Sequence, residues 1–376
     1  MIYEAGLYIH IPFCLKKCSY CNFNSFSGAN IQDQKDYCDA VKKEINAFKG
    51  KDLKVKTIYV GGGTPTILDG SVLEGLLKHI KQAFDVLPDA EITMEANPKT
   101  IDADKLNILK ASGFNRLSIG MQDLSDKILK TLGRVHNRQD FLEAYKAARK
   151  AGFNNVNVDI IYGVPEQSIS KLKDTLKEVI ELNPEHISAY GLTYEENTPM
   201  IEMTKSGKLK RLSEETEAEM FYLVKDTLET TYKHYEISNF AKMGFESRHN
   251  NIYWDNNDYL GIGAGACSRI EGVRRENIRD YHEYIRLIKE RDSAILYSEQ
   301  ISKDLEIKEA VFLGLRKLDG INLKEWKTRY GLGFFDLFDI KVKKLVELGL
   351  LEASKENVKL TRKVLILSNE VFVEFV

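Results

Sequence analysis

Short β-rich runs alternate with amphipathic segments through the first half of the chain, and this alternation constrains the fold more than any other feature. Six runs are predicted strands, at residues 7–11, 55–60, 91–95, 116–120, 156–161 and 186–190. Between them, apolar residues recur at helical spacing, for example across residues 38–48 and 72–84. Such a chain forms a parallel sheet with right-handed crossovers, either doubly wound or curled into a full or partial barrel.

The residues just past each predicted strand have unusual chemistry. Three cysteines follow the first strand, a Gly-Gly-Gly-Thr-Pro segment at 61–65 follows the second, and Glu95 ends the third. Gln122 and Asp123 follow the fourth strand, residues 162–165 follow the fifth, and Asp159 lies inside the fifth. Because the carboxyl ends of parallel strands share one edge, we expect these residues to converge on one rim.

The pattern changes in the second half of the chain. A long charged helix is predicted at 214–231, followed by an aromatic, polar stretch at 235–254 and a glycine-rich loop at 260–267. Short helices and a hairpin at 351–360 suggest a small separate domain. We therefore divide the chain into a core at 1–210, a segment at 211–297 that completes the core, and a mainly helical C-terminal domain at 298–376.

Charge and hydropathy exclude several classes of protein. The chain has 54 Lys+Arg and 56 Asp+Glu residues, a net charge of −2, so we expect no nucleic-acid partner, which needs a basic surface. No apolar run is long enough for a membrane span and the first residues do not resemble a secretory signal, so a cytoplasmic protein is predicted. Five cysteines, three of them within eight residues, favour a metal site over a disulfide framework.

The three clustered cysteines are Cys14, Cys18 and Cys21, with the spacing C-x3-C-x2-C. Thiolates suit zinc or iron–sulfur clusters. A structural zinc needs four protein ligands, and His10 is the alternative fourth, although it lies inside a predicted strand. A 4Fe-4S cluster held by three cysteines leaves one iron open to a substrate's amino and carboxylate groups. Cys38, on the apolar stripe of a helix, is predicted to be a buried hydrophobe.

With Tyr20 just before the third cysteine, this spacing resembles the radical S-adenosylmethionine (SAM) superfamily. The resemblance implies a cluster that passes one electron to an exchangeable SAM and yields a 5′-deoxyadenosyl radical. Glycines at 61–63 would let the backbone approach a ligand closely. The carboxylate of Glu95 would accept hydrogen bonds from ribose hydroxyls.

Several separated motifs extend the resemblance to the oxygen-independent coproporphyrinogen III oxidase family. They are residues 8–14, 61–66, 121–123 and 159–165, and the match runs from about residue 3 to 270. The resemblance implies a partial (β/α)6 barrel with a small helical C-terminal domain. The family's SAM-contacting residues match Tyr8, Tyr20, Gly62, Gly63, Thr64, Glu95, Gln122, Arg134, Asp159 and Ala189. In the oxidase some of these hold a second SAM, and the resemblance leaves open whether that site works here.

Three departures point from the oxidase towards the haem chaperone branch of this family. Phe23 stands where the oxidase has another cysteine, and only thirteen residues precede Cys14. The third departure is the string H-N-x-x-Y-W at 249–254, which resembles the hallmark of the chaperone branch. A neutral imidazole is a good axial ligand for haem iron, so His249 is the predicted ligand. Tyr253 and Trp254 are predicted to line the porphyrin face.

The glycine-rich loop would let the backbone run close to a bulky planar ligand, or only packs a turn. Many relatives have His where this chain has Cys267, which puts any ligand role for the loop in doubt, although a thiolate also binds haem iron.

The expected function is therefore a haem chaperone that binds haem and transfers it to an acceptor protein, with an electron donor such as a flavodoxin or ferredoxin. Reductive SAM cleavage is compatible with this expectation, and peripheral membrane contact stays open. The alternatives are the oxidase itself and a radical SAM enzyme with an unrelated substrate.

Overall fold

The computed structural model describes residues 3–50 and 53–375, which form one large mixed sheet, its covering helices and a smaller C-terminal unit. The strands are β1 (Tyr3–Ile11), β2 (Phe13–Cys14), β3 (Phe26–Ser27), β4 (Leu53–Gly62), β5 (Asp85–Ala96), β6 (Arg116–Gln122), β7 (Val156–Tyr162), β8 (His186–Gly191), β9 (Lys233–Glu236), β10 (Asn239–Ala241), β11 (Tyr259–Ile262), β12 (Cys267–Ile270), β13 (Val273–Asn277), β14 (Ile295–Gln300), β15 (Ile321–Asn322), β16 (Leu351–Ala353) and β17 (Asn357–Leu360).

Helices separate most of these strands. They are α1 (Ile31–Asn46), α2 (Gly70–Ala83), α3 (Ala103–Ser112), α4 (Asp126–Thr131), α5 (Arg138–Lys150), α6 (Ile169–Leu182), α7 (Pro199–Lys205), α8 (Glu214–Leu228), α9 (Arg248–Trp254), α10 (Tyr281–Arg291), α11 (Lys303–Gly314), α12 (Leu323–Tyr330), α13 (Phe334–Glu347) and α14 (Ser368–Phe372). Single 3₁₀ turns lie at Pro65–Ile67, Pro98–Thr100 and Leu365–Leu367.

The six predicted strands are all present, as β1 and β4 to β8, and they run parallel in that order. Strand β11 pairs with β1, also in parallel, and antiparallel strands extend the sheet on both sides. Over the described residues, no pairing joins the outermost strands β14 and β9. The expectation of a partial barrel is confirmed, with helices on its outer face.

Local sequence accounts for the helices that the periodicity predicted. Helix α1 begins with a capping box in which Asn30 and Asp33 each accept a backbone N–H from the other. Its buried stripe includes Cys38, Val41 and Ile45, while Phe48 lies beyond its last residue. Helix α8 spans most of the predicted 214–231 segment. The predicted hairpin at 351–360 is β16 and β17.

The C-terminal segment has a hydrophobic core of its own. Val311, Trp326, Phe338 and Val358 belong to it, and Phe221 on α8 packs against it from the main body. Strand β14 still belongs to the large sheet, where it pairs with β13. In the described part of the chain, no helix is long and apolar enough to cross a membrane.

The lumen of the partial barrel is polar. Alternate residues of strands β4 to β8 point inward, and those that line a cavity of about 350 Å³ are Tyr59, Glu95, Arg116, Ser118, Asn157, Asp159, Ser188 and Tyr190. A barrel interior with only a structural role is packed with branched apolar side chains. This lumen is therefore suited to a ligand.

Candidate functional site at the carboxyl ends of the strands

Most of the predicted rim residues converge on a cavity of about 140 Å³ at the carboxyl ends of the strands, whereas Asp123 and residues 162–165 are not part of its lining. The loop with the three cysteines leaves β2 and returns at β3, where Cys14 pairs with Ser27. The N–H of Ser19 donates to the carbonyl of Leu132 at 3.0 Å, which ties the loop to the end of α4. The cavity lining includes Cys14, Cys18, Cys21, Tyr20, Gly62, Gly63, Thr64, Glu95, Gln122, Arg134 and Asp159.

Two donors point at the sulfur atoms. Nη1 of Arg134 lies 3.5 Å from Sγ of Cys18, and Oγ1 of Thr64 lies 3.6 Å from Sγ of Cys14. Burial raises the pKa of the Cys14 and Cys21 thiols, so a compensating charge is needed to hold them as thiolates. A buried guanidinium and a hydroxyl suit a sulfur-ligated cluster that carries negative charge.

Gly63 makes room for the first of these cysteines. A Cβ at this position would lie 2.7 Å from the carbonyl oxygen of Phe13 and 3.0 Å from Sγ of Cys14. Only glycine therefore allows the loop after β4 to approach the cysteine loop this closely.

His10, the alternative fourth zinc ligand, has both ring nitrogens occupied. Nε2 lies 2.8 Å from the carbonyl oxygen of Asn24, which can only accept, so Nε2 bears the hydrogen. Nδ1 then accepts from the hydroxyl of Tyr8 at 2.9 Å. The histidine therefore positions the end of the cysteine loop. Over residues 3–50 and 53–375, no three His, Cys, Asp or Glu side chains are placed to hold a single metal ion.

Glu95 lies partly buried between the cysteine loop and the lumen. Its carboxylate accepts from the hydroxyl of Tyr59 at 2.7 Å and from the N–H of Gly62 at 3.0 Å. Burial raises its pKa to about 7 despite these two donors. Gly61 must lack a side chain, because its Cβ would lie 2.9 Å from the carboxyl group.

The ends of β6 and β7 place the next two predicted residues. Gln122 has a φ of 69°, and the register shifts between Gly120 and Gln122, which turns this side chain into the site. Asp159 accepts from Nδ2 of Asn157 at 2.7 Å, and its pKa is raised by burial. Both side chains line the small cavity and the lumen below it.

The side chain of Ala189, another predicted SAM contact, does not line the small cavity. Its methyl group packs in the hydrophobic core, because successive residues of β8 point to opposite faces. Ser188 and Tyr190 line the lumen in its place, as does Arg116 on β6. The alternation of polar residues along the strands was the signal that could have identified them.

The H-N-x-x-Y-W string forms the short helix α9, which enters the lumen from the amino-terminal side of the strands. His249 is 1% exposed and its ring stacks on Tyr59 with centroids 5.1 Å apart. Nδ1 lies 2.7 Å from Oγ1 of Thr57, and Nε2 lies 2.8 Å from the hydroxyl of Tyr253. Burial and the nearby Arg116 lower the pKa of His249 to about 3, so the ring is neutral.

The two aromatic residues of the string face different cavities. Tyr253 lines an open cavity of about 640 Å³ with Tyr259 and Cys267, next to the cysteine loop. Trp254 instead lies beside the C-terminal domain. The guanidinium carbon of Arg316 lies over its indole ring, 4.5 Å from the centroid of that ring. In this structure the two rings point to different sides, because neighbouring residues on a helix point about 100° apart, and their joint contact with a porphyrin stays a prediction.

The comparisons with known proteins agree with this fold. A family model for the radical SAM superfamily matches residues 8–179, and one for the HemN C-terminal domain matches residues 301–366. The protein is thus a radical SAM protein, a class that carries a 4Fe-4S cluster and SAM. The solved coproporphyrinogen III oxidase (HemN) of Escherichia coli covers 99% of this chain and 90% of its own, with 26% identity and a TM-score of 0.85.

Curated relatives define the family more closely. The chain is 40% identical to the heme chaperone HemW of Bacillus subtilis over 98% of both chains. It is 34% identical to HemW of Lactococcus lactis over 98% of this chain and 96% of the relative, and 38% identical to HemW of Escherichia coli over 70% of each. The chain belongs to the HemW family.

Proposed function

We propose that this protein is a haem chaperone, which binds haem and passes it to an acceptor protein. The observation that carries the proposal is the 40% identity to a heme chaperone across 98% of both chains. The open cavity beside Tyr253 gives a planar cargo a place from which it can leave again. This is what a carrier needs, whereas an enzyme encloses its reactive intermediates.

The cofactor ligands are part of the same proposal. Cys14, Cys18 and Cys21 would hold the 4Fe-4S cluster, and when bound the cluster supplies one electron for the reductive cleavage of SAM. The SAM-binding residues would be Tyr8, Tyr20, Gly62, Gly63, Thr64, Glu95, Gln122, Arg134, Asp159 and, through its backbone, Ala189. The partly buried carboxylate of Glu95 would accept from the ribose, and Gly62 and Gly63 would leave room for the methionyl group.

The partners follow from this function. They are a haem acceptor, and a one-electron donor of the flavodoxin or ferredoxin kind that reduces the cluster. We further propose a cytoplasmic protein, with peripheral membrane contact where an acceptor is membrane-bound.

The test is a haem titration of protein whose cluster has been reconstituted without oxygen, followed by mixing with apomyoglobin as a generic acceptor. We expect saturable binding of about one haem per chain at micromolar levels and transfer to the acceptor. Absence of saturable haem binding would remove the chaperone function, while the cluster and SAM assignments would remain.

The fold similarity to coproporphyrinogen III oxidase makes that enzyme the second candidate. Phe23 is 66% exposed on the cysteine loop, at the position where the oxidase has a further cysteine. We expect no conversion of coproporphyrinogen III in the presence of SAM and reductant. Rescue of a strain that lacks the oxidase would show that the chain is an oxidase instead.

A further inference from the structure

We infer that the phenol oxygen of Tyr253, rather than the imidazole of His249, is the axial ligand of the haem iron. This inference rests on the haem binding proposed above. Tyr253 and His249 form a pair on α9 in which the tyrosine contacts the iron. The histidine positions the tyrosine and does not touch the iron.

The surroundings of His249 leave no nitrogen for iron. Thr57 occupies Nδ1 and the hydroxyl of Tyr253 occupies Nε2, at 2.7 and 2.8 Å. The ring is 1% exposed, stacks on Tyr59, and lies against β1, where a Cβ on Gly6 would come within 3.2 Å of it. A haem approaching Nε2 would first have to displace the ring of Tyr253, which lines the open cavity while the imidazole does not.

Tyr253 has what an axial ligand needs. Its ring is held edge-on by His249 on one side and by Tyr259 on the other, with interplanar angles of 89° for both. Phenolate oxygen is an established axial ligand of ferric haem. The cavity of about 640 Å³ in front of it is bounded by Phe23, Gly265 and Cys267. Arg279, 73% exposed at the same cavity, pairs through Nε with Glu276 at 3.0 Å, and its two terminal nitrogens can meet a propionate.

Binding exchanges one bond for another without change of oxidation state. The Fe–O bond forms, the O–H bond of Tyr253 breaks, and one proton is released to solvent. Nε2 of His249 accepts from the phenol in one tautomer and donates to the phenolate in the other, because the hydroxyl of Thr57 can donate to or accept from Nδ1. The i, i+4 spacing of His249 and Tyr253 puts both on one face of α9, which gives the H-x-x-x-Y pattern a physical reason.

The experiment is a titration of ferric haem into reconstituted wild-type, Tyr253→Phe, Tyr222→Phe, His249→Ala and Cys267→Ala proteins, followed by absorption and electron paramagnetic resonance. Cluster content checks that each variant folds. We expect a high-spin ferric phenolate signature in the wild type. Tyr253→Phe should lose this signature and weaken binding by at least about tenfold. Tyr222→Phe, a matched control on α8 outside this cavity, should keep it, and His249→Ala should keep the ligand but shift its bands.

Other outcomes would overturn the inference. If Tyr253→Phe retains the wild-type spectrum while His249→Ala abolishes it, the histidine is the ligand. If only Cys267→Ala changes the spectrum, the thiolate is the ligand. If the wild type binds no haem, the proposed function fails and this inference fails with it, whereas the first two outcomes leave the haem chaperone function intact.

Discussion

Nη1 of Arg134 lies 3.5 Å from Sγ of Cys18, while Nη2 of the same guanidinium donates to the carbonyl of Gly120 at 2.9 Å. The arginine therefore links the end of β6 to the cysteine loop. We predict that Arg134→Gln lowers the reduction potential of the cluster, because a hydrogen bond and a positive charge near sulfur favour the reduced state. If the substitution removes about 1 kcal/mol of stabilisation from the reduced cluster, the reduction potential falls by roughly 40 mV for a one-electron couple.

Potentiometry of the reconstituted protein would measure this shift. Arg138→Gln is a matched control, because that arginine forms an exposed ion pair with Glu178 and has no sulfur contact in the structure. An unchanged potential in Arg134→Gln would show that the contact has no electrostatic effect on the cluster.

The second prediction separates the cluster cysteines from the others. Replacing Cys14, Cys18 or Cys21 by Ala should abolish the iron content of about four per chain, because two thiolates cannot hold the cube firmly. Cys38→Ala should keep it, since Cys38 is buried in α1 and burial raises its pKa to about 12. Cys267→Ala should also keep it. Iron and sulfide analysis checks this, and tight stoichiometric zinc in place of iron would contradict it.

The third prediction concerns Gly63. A methyl group there would meet the carbonyl oxygen of Phe13 at 2.7 Å, and backbone cannot move aside cheaply. We expect Gly63→Ala to cost about 1–3 kcal/mol and to reduce cluster incorporation. Gly75→Ala is the control, because nothing lies within 4 Å of its Cβ position on α2, and alanine should stabilise that helix by about 0.5–1 kcal/mol. Denaturant unfolding and iron content together measure both effects.

The fourth prediction is a pH dependence due to Glu95. Its pKa is about 7 in the folded protein, against 4.5 for an exposed glutamate. Between pH 4.5 and pH 7, Glu95 binds more protons in the folded state than in the unfolded state. The contribution of Glu95 to stability is therefore largest below about pH 4.5 and falls as the pH rises through 7. Over this range the free energy of unfolding falls by roughly 3 kcal/mol.

Glu95→Gln cannot ionise and should lack this part of the pH dependence. The measurement is unfolding of SAM-free protein between pH 5 and 8.5, in which the wild-type curve should fall more steeply than the variant's. Parallel curves would show that the carboxylate is already ionised at neutral pH in the folded protein.

Much of the fold could be predicted from residue patterns. The strands lie where β-rich runs end in glycine, cysteine or carboxylate residues, and helix α1 follows the apolar spacing of Cys38, Val41 and Ile45. These signals are local, because side-chain periodicity depends only on backbone geometry. The residue at which the C-terminal domain begins stays a prediction.

The surroundings of the H-N-x-x-Y-W string could not be predicted from the sequence. A motif gives the order of residues along a helix but not the surfaces that the helix meets. His249 is inside the lumen, Tyr253 faces the cavity beside the cysteine loop, and Trp254 faces the C-terminal domain. Arg116 was missed although polar residues alternate along β6, because its place in the lumen also depends on the strands that surround it.

The sequence by itself determined the class of protein and the parallel strands, and it predicts the cluster cysteines, because these follow from short-range spacing and from the common edge at which parallel strands end. Only the tertiary structure decided which atoms are free to meet a ligand. Whether a ring nitrogen is available depends on partners distant along the chain, as Thr57 is for His249, 192 residues away. Those partners are brought together by the packing of α9 into the lumen, which no local pattern encodes.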